Sequence, residues 1–196
     1  MIESNLNTTN SKFDHKYNWE NYNLGVSAYQ KERKGDFKGA IEDISLVIKN
    51  ENVDYFNFYD RGKLFFKIKN YEKAIDDLSE FISKSKKKYK SYKCYVESLF
   101  LKECCLIILK VENQHALQSH LRSNDQYLYG SKLGDNYVNF LIALEFATKK
   151  HFEWSLEHLL KIRDSDPDFL KNKYSYLLEH LPSEMKPILA LCWHII

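Results

Sequence analysis

A repeat of 34 residues constrains this chain more than any other feature of its sequence. When Tyr55–Lys84 (YFNFYDRGKLFFKIKNYEKAIDDLSEFISK) is moved back by 34 positions, Ala74 falls on Ala40, Ile75 on Ile41, Asp77 on Asp43, Tyr71 on Phe37 and Ile82 on Ile48. The stretch reads as two short amphipathic helices split by a turn at Lys69-Asn70, with Gly62 and Ala74 small where the helices must approach closely. A third copy spans Asn136–Pro167. There Ala143 replaces Gly62, Phe146 matches Phe65, Phe152 matches Tyr71, Ser155 replaces Ala74, and Leu159 and Ile162 match Leu78 and Phe81. A fixed period of this size marks supersecondary units that cannot bury their apolar faces alone and stack to do so. The expected fold is all-α, a solenoid of antiparallel helix pairs with no β-sheet.

The repeats lie near 21–54, 55–88 and 136–169, within a single helical domain over 17–196 that follows a polar tail at 1–16. In the first repeat two residues compete for the close-packing place, Gly25 and Ala28; only Ala28 keeps one frame throughout. Gly35-Asp36 then makes its turn, since glycine supplies the backbone freedom that a helix end needs. Ser91–Val111 is apolar on most sides and is expected to be a buried central helix, paired irregularly with Asn113–Arg122 around Ala116, so that 91–122 breaks the period. Ser123–Asp135, with Gly130 and Gly134, reads as a loop. The C-terminal part, 168–196, is expected to form two helices. Phe169–His180 carries Leu170, Tyr174, Leu177 and Leu178 at helical spacing and stops at Leu181-Pro182, and a last helix opens after Ser183. That last helix ends on bare apolar residues. It folds back on the preceding pair, or Trp193, Ile195 and Ile196 bury against a second copy or a partner.

The repeat resembles the tetratricopeptide repeat (TPR) family, whose units carry a small residue in the first helix, an aromatic near the turn and a small residue opening the second helix. Gly62, Tyr71 and Ala74 fill those places. The closing proline of the family is present at Pro167 but replaced by Asn52 and Lys86 in the first two copies. The resemblance implies a TPR-like superhelix whose first helices line a concave groove for a peptide, a helix or a partner domain. Groove places carried over are Tyr22 and Tyr29 in the first copy; Phe56, Tyr59, Asp60, Lys63 and Lys67 in the second; and Tyr137, Phe140 and Leu144 in the third. The lysine and asparagine set with which some members hold a chaperone's C-terminal carboxylate is not matched, since Tyr22, Gly25 and Tyr29 stand there.

The chemistry of the chain points the same way. A net charge of +2 lacks the basic excess of a general polyanion binder. The run Ser83–Lys93 concentrates lysines, among them Lys84, Lys86, Lys87, Lys88 and Lys90. It is either a solvated helix end, favoured by the helix dipole, or a patch for nucleic acid or an acidic surface. The four cysteines, Cys94, Cys104, Cys105 and Cys192, have no metal-ligand spacing and read as reduced apolar residues of a cytoplasmic protein. Seven histidines include no H-E-x-x-H, and His151 and His158 lack a third ligand. No nucleophile elbow, phosphate loop or dinucleotide fingerprint occurs. The expectation is therefore a non-enzymatic protein-interaction module without metal or cofactor, and without a membrane span.

Overall fold

Each helix pair is built by the same two local devices, a left-handed turn residue and a small residue that lets two backbones meet. The computed structural model describes residues 19–50, 54–85, 92–110 and 132–193. Its α-helices are α1 (Trp19–Arg33), α2 (Phe37–Lys49), α3 (Phe56–Lys67), α4 (Tyr71–Ser85), α5 (Tyr92–Ile108), α6 (Lys132–Thr148), α7 (Phe152–Ser165) and α8 (Lys186–Trp193). No strand occurs among the described residues. Consecutive helices pack as neighbours, α1 on α2, α3 on α4 and α6 on α7, with α2 on α3, α4 on α5 and α5 on α6 joining the pairs. The fold is an all-α helical repeat.

The turn inside each pair falls at one repeat position. Gly35, Lys69 and Lys150 each lie five residues before Ala40, Ala74 and Ser155, and each adopts positive φ, at 80°, 62° and 64°. The hydrogen bonds repeat as well. Gly35, Lys69 and Lys150 donate to the carbonyls of Glu32, Phe66 and Ala147, while Asp36, Asn70 and His151 donate to those of Lys31, Phe65 and Phe146. That double pattern is the Schellman closure of a helix C-terminus. Asp36 then caps α2 by accepting from the Gly39 amide at 3.0 Å.

The crossings are tight because one side is small. A Cβ on Gly62 would lie 2.9 Å from Leu78 Cγ and 3.3 Å from Asp77 Cβ. In the first pair Ala28 is buried with Ala40, Ile44 and Leu64, while Gly25 faces open space, so Ala28 does the close packing. In the third pair Ala143 and Ser155 are fully buried, and the Ser155 hydroxyl donates to the Ala143 carbonyl at 2.8 Å. The expected central helix is α5: Val96, Phe100, Leu101, Cys104, Cys105 and Ile107 are all enclosed, and Phe100 stacks on Tyr137 of α6 at 4.3 Å.

Three expectations need correction or lie elsewhere. Of the expected loop Ser123–Asp135, residues 132–135 belong to α6 instead, where Gly134 is buried in the packing of that helix, and 123–131 lie outside the described residues. Phe169–His180 is not an α-helix: it forms a π-helical turn, Phe169–Lys173, followed by a 3-10 helix, Ser175–His180. Asn113–Arg122 with Ala116, and the terminal Ile195 and Ile196, lie outside the described residues, as does the Trp193 side chain.

Two substitutions test this construction in opposite directions. Gly62→Ala drives a methyl into Leu78, and the overpacking of about 1–3 kcal/mol exceeds the helix-propensity gain of about 0.5–1 kcal/mol, so urea denaturation should show a net loss of stability. Lys150→Gly removes a side chain from a left-handed position and should raise stability by about 0.5–1 kcal/mol, because the relief of about 1–2 kcal/mol outweighs the added freedom of the unfolded chain. A loss in the second variant would mean that the turn is not strained.

Candidate interaction face

The first helices of the first two pairs carry two matching rows. On α1 Tyr22, Val26, Tyr29 and Arg33 recur at helical spacing, and on α3 Phe56, Asp60, Lys63 and Lys67 stand 34 residues later in the same frame. The rows lie side by side, since Glu32 of α1 pairs with Lys67 of α3 at 2.7 Å. Along α1 the large side chains face outward: Trp19 is 66% exposed, Tyr22 49%, Val26 39% and Tyr29 61%. Trp19 packs edge-on against Tyr22 at 6.0 Å, and the Arg33 guanidinium lies 5.9 Å from the centre of the Tyr29 ring. On α3 Phe56 is half-buried against Tyr55 and Phe81, Asp60 is exposed, and Lys63 lies over the Tyr59 ring at 4.6 Å. Val26 and Trp19 were missed as face residues, although their spacing from Tyr22 and Tyr29 was the signal that would have found them.

Four residues expected in the groove are enclosed instead. Tyr59, Tyr137, Phe140 and Leu144 are core residues, and a partner cannot reach them. Phe140 and Leu144 are consumed by the packing of α5 and α7 around α6. Tyr59 turns under α3 toward α4 and α5: its ring lies 5.3 Å from that of Phe81 on α4, and the Tyr59 hydroxyl is hydrogen-bonded with Glu97 of α5. Burial, then the nearby Glu97 and Cys94, push its phenol pKa well up.

Tyr137 is covered by the chain's own C-terminal segment. The Tyr174 hydroxyl meets the Tyr137 hydroxyl at 2.7 Å, and Phe169 packs against Tyr137 edge-on. The segment continues toward the second pair, where Lys67 lies 5.2 Å above the Tyr176 ring and Phe66 packs on His180 at 4.0 Å. It is closed by two hydrogen bonds, Lys69 Nζ to the Glu179 carbonyl at 2.9 Å and Tyr71 hydroxyl with His180 Nδ1 at 3.0 Å. Residues 169–181 thus plug the middle and far part of the first-helix face. Among the described residues the α1–α3 end is left exposed.

That end is electrostatically uneven. Asp60 lies near Glu32, Asp54 and Glu97, and Lys63 is 3.8 Å away. Partial loss of water at the helix surface comes first in raising the Asp60 carboxyl above its ordinary pKa; Lys63 opposes it, and the three acids add smaller effects. Of the lysine run, Lys84 is engaged by Glu80 at 2.9 Å and lies over Phe58 at 4.9 Å, while Lys86, Lys87, Lys88 and Lys90 lie outside the described residues.

Among the described residues no cluster of three or more His, Cys, Asp or Glu is placed to hold a metal ion. Burial pushes the Cys105 thiol up to about 12 and holds Cys104 well above its ordinary value, so neither is a thiolate near neutral pH. His158 pairs with Asn139 at 2.9 Å, and burial followed by Lys161 lowers its pKa. Glu103 has a carboxyl raised by burial to about 7, and its buried Oε1 has no hydrogen-bond partner among the described residues. No helix among the described residues is long and apolar enough to cross a membrane. No family model, curated protein or solved structure matches the chain.

His180 gives the plug a pH signature. Burial, with Lys69 adding repulsion, lowers its pKa to about 4, against about 6.5 in an unfolded chain. Between those values the unfolded chain binds the extra proton, so stability is complete above pH about 6.5, falls as pH drops toward 4, and levels below it. The window is worth about 3 kcal/mol. Glu103, raised to about 7, contributes in the opposite sense over the same range, so the reading is a difference: urea denaturation from pH 7 to 4 should show the wild type losing about 3 kcal/mol relative to His180→Gln, and equal slopes in the two proteins would contradict a neutral, buried His180.

Proposed function

We propose that the chain is a TPR-like, non-enzymatic interaction module of the cytoplasm that captures a segment of another protein on the exposed α1–α3 end of its first-helix face. The observation that carries this reading is the outward row of Trp19, Tyr22, Val26 and Tyr29 beside Phe56, Asp60 and Lys63. Aromatic side chains offer large contact area at small entropic cost, and contiguous exposed apolar surface marks contact sites. In the alternative, nucleic-acid or acidic-surface binding through Lys84–Lys93, Lys84 is already paired with Glu80, while Lys86, Lys87, Lys88 and Lys90 lie outside the described residues.

Tyr29→Ala and Tyr22→Ala test the reading. A partner recovered with the wild-type chain should be weakened about tenfold or more by each, as truncated aromatic anchors are. Circular dichroism should be unchanged and stability should move by less than about 0.5 kcal/mol, as expected for surface positions. Capture that is indifferent to both substitutions but abolished by raised salt would shift the reading to the lysine run.

A further inference from the structure

The plug shows how this face holds a side chain brought to it from outside the helix pairs. Tyr176, from the 3-10 helix Ser175–His180, lies against the last turn of α3. The Lys67 ammonium is 5.2 Å from the centre of its ring, and Phe66 meets the ring edge-on at 6.2 Å. Lys67 is not a bare charge there. Glu32 pairs with it at 2.7 Å, and its ammonium also lies 5.4 Å from the Phe37 ring. The face thus takes an aromatic ring on a cation that is already neutralised, and the contact is one of ring and cation rather than of opposite charges.

The same place recurs one repeat upstream. Arg33 stands 34 residues before Lys67, in the last turn of α1, and it is exposed. The two places adjoin, since Glu32, next to Arg33 in the chain, is the partner of Lys67. Among the described residues Arg33 forms no ion pair. Its guanidinium lies 5.9 Å from the ring of Tyr29, one turn back, and that ring is exposed as well. A planar guanidinium stacks on aromatic faces, and does so more often than an ammonium. The charges around it are mixed, with Lys34 and Lys63 beside Glu32 and Asp60, so net charge selects neither an acidic nor a basic ligand. What the repeat reproduces is the seat for a ring.

Resting on the reading of this face as a capture site, we infer that its occupant is a segment of a partner protein bearing an aromatic side chain, which seats on Arg33 beside Tyr29 as Tyr176 seats on Lys67 and so continues the surface that the plug begins. Arg33 lies at the surface and outside the core, so changing it alters recognition without touching the fold.

Phage-displayed random dodecapeptides selected on the immobilised full-length chain test this. The pool should be enriched in Tyr, Trp or Phe, with no fixed acidic or basic position. The leading peptide, labelled and followed by fluorescence polarisation, should bind Arg33→Ala about fivefold more weakly and Arg33→Lys less severely so, with helical content unchanged. Replacing its aromatic residues by leucine in turn should find one whose loss costs a similar factor on the wild-type chain and almost nothing further on Arg33→Ala, the sign of a direct contact between the two. Peptides that depend on Tyr29 but carry no aromatic residue, whose aromatic residues act independently of Arg33, or that hold Arg33 through Asp or Glu and lose binding steeply with salt, would overturn the aromatic seat and leave the capture site standing. A pool with nothing above background, or peptides indifferent to Tyr29→Ala, would overturn the capture site itself.

Discussion

The structure depends on two helices of a pair coming close at one residue. Gly62 sits so near Leu78 that a methyl group on it has no room, and Ala28, Ala40, Ala143 and Ser155 play the same part in the outer pairs. A close crossing fixes the second helix against the first, and the left-handed residue at 35, 69 or 150 reverses the chain in time to make it. Once each pair has this shape its remaining apolar flank must be covered by the next, which is why α2 meets α3 and α4 meets α5. The first-helix face is a consequence of that stacking: it is what the described helices leave uncovered.

Charge sets the register of the first two pairs as well as packing does. Asp43 and Asp77 occupy one repeat position and both are buried, but they find different partners. Arg61 grips Asp77 with two bonds of 2.7 Å and donates a third to Ser45 of the preceding pair at 3.1 Å, so one guanidinium ties α2, α3 and α4. In the first pair the residue 34 before Arg61 is Ser27, and Lys31 supplies the charge to Asp43 at 2.8 Å. Burial alone would raise the Asp43 carboxyl, yet the hydrogen bonds from Lys31 and Ser27 bring it below its ordinary pKa. Bidentate pairing of this kind specifies geometry more than it adds net stability, because both ions must be desolvated to form it.

The pairs were legible in the sequence because their period is carried by small residues, which chemistry cannot replace at a tight crossing. Ala28 could be preferred over Gly25 on the frame alone, and the turn at Lys69-Asn70 could be placed without knowing that Lys69 is left-handed. The face was only half legible. Carrying groove places over from one repeat to the next assumes that nothing else covers them. That holds for Tyr29 and Asp60, and it fails for Tyr137, which meets Tyr174. The failure has a local origin. Leu170, Tyr174, Leu177 and Leu178 fit α-helical spacing, so Phe169–His180 reads as one more helix; the chain instead widens to a π turn and tightens to a 3-10 helix, which lets Phe169 and Tyr174 both point into the core. Spacing alone cannot register a change of helical pitch.

Whether the plug is a movable cover or a permanent part of the fold is decided by magnitude. Phe169, Leu170, Tyr174, Leu177 and Leu181 are all buried in the main core. At about 1.5–3 kcal/mol for each fully buried side chain their removal costs roughly 10 kcal/mol. That is comparable with the whole stability of a domain of this size, about 5–15 kcal/mol. The two hydrogen bonds that close its end, from Lys69 and with Tyr71, are small beside this sum. A ligand able to displace the segment would have to replace nearly all of that burial, and it would do so in competition with a chain already tethered in place. The plug therefore stays, the far part of the face belongs to the core, and among the described residues the part left exposed is the end where α1 and α3 run side by side.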